Sequence, residues 1–132
     1  MPVEHLNPEG MHRNPAFSQA LVVPPGARLM LIGGQNSVAA DGTIVGKGDI
    51  AAQTAKALDN LIACLAAGGA GLEHLVKMTI LVVGTEDITP AFGAWMVRWG
   101  SRPNPPLVTF ARVVGLANPD FLIEIEGMAV LP

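Results

Sequence analysis

The stretch from residue 49 to residue 83 limits the possible folds of this chain more than any other feature. Apolar residues recur in its first part at spacings of three and four, which predicts one apolar stripe along a long helix. Asp49 is a suitable N-cap for this helix, and Gly68-Gly69 is a suitable C-terminal stop. The next segment, LVKMTILVV at residues 75–83, predicts a strand because it is rich in β-branched residues. The stripe consists of Ile50, Ala57, Leu58, Leu61, Ile62 and Leu65.

Shorter patterns on both sides complete the predicted order β-β-α-β-α-β-β. The first two strands are expected to form a hairpin around the Pro-Pro-Gly turn at residues 24–26. Pro90 suits the first turn of a second helix, where its missing N–H has no cost. The expected packing face of that helix is Phe92, Trp95, Met96 and Trp99. The expected boundaries are an irregular arm at 1–18, strands at 19–23, 27–34, 107–114 and 121–131, and a helix from Asp87 or Thr89 to Trp99.

The predicted helices can cover only one face of a sheet, so the other face needs a different cover. Composition points to the same need, because 50% of the residues are hydrophobic and only 14% are charged, against about 25% charged in typical soluble proteins. A single domain over residues 1–132 with so little charge is expected to self-associate. No membrane span is expected, because the sequence contains no run of about 18 apolar residues.

Charge and motif content argue against several classes of function. The net charge is −3 and the eight Lys and Arg residues form no basic stripe, so no nucleic-acid partner is expected. The single cysteine, Cys64, excludes an internal disulfide, and the three histidines lack ligand spacing, so no metal site is expected. Phosphate-loop, dinucleotide and hydrolase signatures are missing. Residues 1–10 lack the pattern of a signal peptide, which favours a cytoplasmic location.

Two carboxylates stand out in the last predicted strand. Glu124 and Glu126 alternate with apolar residues, so both side chains should point to the same face of a sheet. A charged group that leaves water needs a partner. Two interpretations therefore stay open: these acids act in a site, or they meet solvent or a neighbouring subunit along the strand face.

Four segments occur in order along the chain: NPAFSQALVV (14–23), LMLIGGQ (29–35), the helix and strand at 49–82, and LIEIEGMAV (122–130). The helix pattern Q-T, A-L, N-L followed by V-K-M-T is distinctive in combination, although no single piece is. Taken together, these segments resemble the Rid family, the YjgF-type group whose best-known members are enamine and imine deaminases.

The resemblance implies a compact α+β fold like that of chorismate mutase, with one sheet and both helices on one face. It also implies a homotrimer with a small-molecule pocket at each subunit interface. In the active deaminases, an arginine in the strand after the proline-rich loop clamps a substrate carboxylate. A glutamate in the last strand positions the water that attacks the imine carbon. The reaction releases ammonia from 2-imino acids without a metal or a cofactor.

The family's site residues carry over to this chain only in part. Glu124 matches the glutamate and is the expected catalytic residue. Gly34 and Gln35 match the glycine and glutamine of an S-G-Q turn, whose serine is replaced by Gly33. Phe17 stands where the family has a tyrosine, so the ring is kept and the hydroxyl is lost.

The arginine does not carry over. Its position aligns with Val108, and the neighbouring Leu107 and Thr109 offer no cation. Val108 and Thr109 are therefore expected to line the pocket without clamping a carboxylate, unless Arg13 or Arg102 replaces the clamp from a loop. The chain is predicted to act poorly on 2-imino acids. It is expected either to hydrolyse or isomerise a small enamine, imine or related carbonyl compound, or to be a non-catalytic metabolite-binding trimer.

Overall fold

The computed structural model describes residues 2–132 and contains a four-stranded sheet, a separate two-stranded sheet and two helices. A short 3₁₀ turn, Leu72–His74, leads into the fourth strand. The helices are α1 (Ile50–Ala67) and α2 (Thr89–Trp99), and the strands are β1 (Glu4–Leu6), β2 (Ala20–Val22), β3 (Leu29–Gln35), β4 (Leu75–Val83), β5 (Leu107–Val113) and β6 (Ile123–Val130).

Local chemistry accounts for both ends of α1 and for the first turn and the end of α2. A side-chain oxygen of Asp49 accepts a hydrogen bond from the backbone N–H of Ala52 at 3.1 Å, and Gly68 caps the other end of α1. Pro90 lies in the first turn of α2, and Gly100 ends it with a φ of 64° that favours glycine. Among residues 2–132, neither helix is both long and apolar enough to span a bilayer.

The four-stranded sheet has the order β3-β6-β4-β5, with β4 and β5 parallel and the other pairs antiparallel. Helix α1 packs against β6 and β3, and α2 packs against α1, so both helices lie on one face as expected. The core between them is apolar and closed to solvent. Its most deeply buried members include Leu58, Leu61, Leu65, Met78, Ile123 and Ile125.

Strand register assigns each side chain to one of two faces. Met78 is paired with Val108 on β5, and Ile80 is paired with Ile125 on β6, and all four side chains belong to the helix-facing side. Residues one step along each strand point the other way. Glu124 is therefore on the face without helices, which we call the open face.

The expected hairpin between the first two strands is wrong. Strand β2 pairs with β1, in the segment predicted to be irregular, and β3 pairs with β6. Contacts of Ser18 give the physical reason: its N–H donates to the Pro106 carbonyl at 3.1 Å and its hydroxyl to the Pro105 carbonyl at 2.5 Å. These bonds hold the beginning of β2 beside the beginning of β5, at the sheet edge opposite β3.

One member of the expected packing face of α2 lies elsewhere. Trp95 and Trp99 are buried and stacked, with ring centroids 5.3 Å apart. Phe92, in contrast, is 50% exposed. It lies at the side of α2 where the helix leaves part of β4 and β5 uncovered, and it borders a cavity there.

Candidate functional site

The Glu124 side chain rests on the backbone of β3 at Gly34. A Cβ atom built on Gly34 would lie 2.6 Å from Cδ of Glu124 and 2.8 Å from its Oε2, well inside contact distance. The pairing of β3 with β6 shifts between Ile32 and Gln35, so the two glycines at 33–34 occupy an irregular part of the ladder. The absence of a side chain at Gly34 is thus what allows the half-buried Glu124 to lie there.

The open face carries a row of polar groups next to Glu124. Glu126 pairs in register with Thr79, which pairs in turn with Thr109 on β5. The ammonium of Lys77 donates a hydrogen bond to the Thr109 hydroxyl at 2.8 Å. Within the described residues 2–132, neither Glu124 nor Glu126 forms an ion pair. Carboxylate oxygens without an ion pair can accept hydrogen bonds from water or from a ligand.

Gly33 and Gln35 flank the Gly34–Glu124 contact. The side-chain amide of Gln35 donates to the Gly33 carbonyl at 3.0 Å, so one of its hydrogens is already used within the turn. The structure therefore brings four of the predicted site residues to one end of β3 and the neighbouring part of β6: Gly33, Gly34, Gln35 and Glu124.

Val108 does not join this group within one chain. Because Val108 pairs with Met78 and Glu124 pairs with Leu81, the two side chains lie on opposite faces of the sheet. Val108 instead lines a helix-facing cavity of about 200 Å³, together with Phe17. Thr109, which was placed in the same predicted pocket, shares the open face with Glu124.

Neither loop arginine reaches Glu124. Arg102 donates to the carbonyls of Arg98 and Trp99 at 3.0 and 2.9 Å, and its Nε lies 3.6 Å from a carboxylate oxygen of Glu73. The pKa of Glu73 is lowered, first by a hydrogen bond from its own backbone N–H and then by the charges of His74 and Arg102. Arg102 is thus bound at the C-terminal end of α2.

Arg13 lies near Phe17 instead. It lines a hollow of about 270 Å³ together with Asn7, Ser18 and Asn104. Ser18 also lies 3.0 Å from Nδ1 of His5, whose pKa is lowered by burial. Because the Ser18 hydroxyl donates to Pro105, the imidazole N–H is the donor in this contact.

Two features of the site were missed in the sequence. Lys77 is the cation that shares the open face with the acids, and the mixed alternate face of β4 was the available signal for it. The helix-facing cavity has no local signature, because its walls come from α1, α2, the three strands β4, β5 and β6, and the segment 14–17. Within residues 2–132, no three His, Cys, Asp or Glu side chains come close enough to share a metal ion.

Comparison with known proteins decides the family. The model of the endoribonuclease L-PSP family matches residues 11–131. The chain belongs to the Rid family. A RutC family protein of Synechocystis is 33% identical to this Rid chain over 90 residues, which cover 68% of each protein.

Solved structures of Rid proteins share the fold. The Rid family protein YyfB from Yersinia pestis, described as of unknown function, is 33% identical and covers 99% of this chain and 100% of its own, with a TM-score of 0.87. The YjgF protein of E. coli is 28% identical and covers 82% of this chain and 84% of its own, with a TM-score of 0.70. The α+β, chorismate-mutase-like fold expected from the sequence is therefore confirmed for this Rid chain.

Proposed function

We propose that this Rid protein is a homotrimer of single-domain chains that binds a small imine, enamine or related carbonyl compound between neighbouring copies. Glu124 guides a water molecule or carries a proton at the reacting carbon, without a metal or a cofactor. Acids with the carboxylate next to the imine carbon are poor substrates. The cytoplasm, where such reactive intermediates arise, is the proposed location.

One observation carries the proposal that the pocket lies between copies. Phe17 and Val108 border the helix-facing cavity, whereas Gly34 and Glu124 meet on the open face. A sheet is a continuous wall, so these two groups from one chain cannot line a single pocket. They can do so if the open face of one copy meets the β5 edge of the next.

The open face has the character of a surface that a second copy would cover. Leu29 and Leu31 pair with Val130 and Met128 on this face and are 51% and 72% exposed, respectively. Apolar side chains of this size on a face without helices favour association, because burial removes them from water. Glu124 is the second residue on the open face of β6 after Met128, counted towards the beginning of the strand. This is the position expected for the border of an interface.

The side chains near Val108 explain the expected preference against 2-imino acids. A guanidinium binds a carboxylate through two parallel hydrogen bonds, and neither Val108 nor Leu107 can replace it. Thr109 offers one hydroxyl, which already accepts from Lys77. A substrate without an adjacent carboxylate loses no binding free energy when the arginine is replaced by Val108, so neutral imines are the favoured class.

The test compares two imines that are generated in the assay. Benzaldimine from benzylamine and an amine oxidase is neutral, whereas 2-aminoacrylate carries the adjacent carboxylate. We expect the protein to hydrolyse benzaldimine faster than benzaldimine hydrolyses spontaneously, and we expect Glu124→Gln to lose this activity. We also expect the protein to sediment as a trimer. A stable monomer at micromolar concentration, or a Glu124→Gln protein as active as the parent, would contradict the proposal. Tight binding without turnover would leave a non-catalytic metabolite-binding trimer.

Mixed trimers test the interface directly. Glu124→Gln and Val108→Trp copies, each inactive alone, are unfolded together and refolded. If each pocket takes Glu124 from one copy and Val108 from the next, roughly a quarter of the pockets are intact, because two independent probabilities of one half multiply. If each pocket belongs to one copy, the mixture stays inactive.

A further inference from the structure

The helix-facing cavity is almost wholly apolar. It lies between α2, the strands β4 and β5, and the segment 14–17, and Asn14 and Thr54 supply its polar side chains together with the indole of Trp95. The Thr54 hydroxyl already donates to the Ile50 carbonyl at 2.7 Å. Trp95 is only 6% exposed, and its buried indole N–H has no hydrogen-bond partner among residues 2–132.

The hollow that contains Arg13 adjoins this cavity. Asn14 and Phe17 line both spaces, so the Phe17 ring and the Asn14 side chain form the boundary between an apolar interior and a polar mouth. The mouth is lined by Arg13, Asn7 and Asn104, together with Ser18, whose hydroxyl already donates to the Pro105 carbonyl. Arg13 is exposed and forms no ion pair with any residue in the described range 2–132.

We propose that these two adjoining spaces together bind a carboxylic acid with an apolar body, with the body in the cavity and the carboxylate at Arg13. The proposal names a ligand class for the helix-facing half of the interface pocket and in that respect rests on the proposed function. It also agrees with the missing clamp at Val108. The carboxylate is recognised at the mouth, with an apolar spacer between it and the reacting carbon.

Size and charge both favour this class. An apolar cavity of about 150 Å³ holds a benzene ring, so the cavity of about 200 Å³ fits a ring or a chain of roughly six to eight carbons. A guanidinium without a protein partner is suited to a carboxylate through paired hydrogen bonds. A cationic amine would find no carboxylate among the residues that line the two spaces. A polar sugar would find few hydrogen-bond partners for its hydroxyls within the apolar walls.

Calorimetric titration with straight-chain acids tests the proposal. From butanoate to octanoate, we expect the affinity to rise by up to about fourfold per methylene as the cavity fills. Arg13→Gln should weaken octanoate binding about five- to tenfold, as expected for loss of a charged hydrogen bond near the surface. The same change should not affect octan-1-ol. Arg28→Gln is the matched control, because Arg28 is an exposed arginine that lines neither space.

The outcomes separate this proposal from the proposed function. Octanoate titration and the benzaldimine assay are run on the same preparation of the parent protein, so that acid binding and imine hydrolysis are measured separately. Retained octanoate binding without any imine hydrolysis supports the acid site and contradicts the enzymatic role. Equal affinities for butanoate and octanoate, or an Arg13→Gln protein that binds octanoate like the parent, overturn the acid site even if the imine assay succeeds.

Discussion

Gly34 and Glu124 are in contact across the β3–β6 ladder, with the carboxylate lying where a side chain on Gly34 would begin. Gly34→Ala would place a methyl group 2.6 Å from Cδ of Glu124 and force the carboxylate to turn away. Because the end of a glutamate side chain moves easily, we expect a small stability change, within about 1 kcal/mol. Benzaldimine hydrolysis should fall at least about tenfold, since catalytic groups need accurate placement.

Gly33→Ala is the matched control for this prediction. Its Cβ would meet no atom within 4 Å, and the residue does not need a left-handed conformation. Thermal unfolding and imine hydrolysis are measured for both variants. If both lose activity equally, the effect belongs to the strand end as a whole and the Gly34–Glu124 contact has no special part in catalysis.

Val108→Arg should give the protein activity on 2-aminoacrylate. The guanidinium would enter the cavity beside Phe17 and bind the carboxylate that the native chain leaves unbound. Two charged hydrogen bonds justify an expected gain of about 10- to 100-fold in ammonia release. Partial burial of the charge should lower the thermal stability.

Thr109→Arg distinguishes the two faces of β5. Thr109 is next to Val108 but points to the open face, so its arginine should leave ammonia release unchanged. Equal or greater activity in Thr109→Arg would place the clamp on the same face as Glu124. If the parent protein released ammonia from 2-aminoacrylate as fast as an active deaminase does, the prediction that the clamp is lost would be wrong.

Some elements of this fold follow from local sequence, and others do not. The helix stripe and the β-branched run were sufficient to predict α1 and β4, because periodicity and propensity act within a few residues. The partner of β2 was not predictable in this way. It depends on hydrogen bonds from Ser18 to Pro105 and Pro106, which are 87 or more residues away in the chain.

The candidate site likewise has features that local sequence predicts and features that it does not. Alternation within one strand was sufficient to predict that Glu124 and Glu126 share a face. Whether Val108 joins them depends on the parallel register between β4 and β5, and no pattern within β5 states that register. The contact between Gly34 and Glu124 depends in addition on the shift in the β3–β6 ladder. Family resemblance therefore supplied the predicted site residues, and only the pairing of strands separated them into two groups.

Gln53→Leu should destabilise the protein by about 2–4 kcal/mol, since each buried partner left unpaired costs about 1–3 kcal/mol. The fully buried Gln53 amide donates to the carbonyls of Gly46 and Asp120, and its oxygen accepts from the N–H of Leu122 at 2.9 Å. These bonds connect α1 to the segment that leads into β6. Urea unfolding measures the loss, and Gln35→Leu, at a less buried position, should cost much less. Equal losses would contradict the role of Gln53.

Stability should fall in mildly acidic solution because of His5. Burial lowers the pKa of His5 below its ordinary value of about 6.5, so the unfolded chain binds the proton more tightly than the folded one does. The stabilisation is therefore complete above about pH 6.5 and is lost as the pH falls below that value towards the folded pKa. His5→Gln should reduce the difference in urea midpoint between pH 8 and pH 5, whereas His12→Gln, at an exposed position in the same segment, should leave it unchanged. A parent-like difference in His5→Gln would assign the acid sensitivity to other groups.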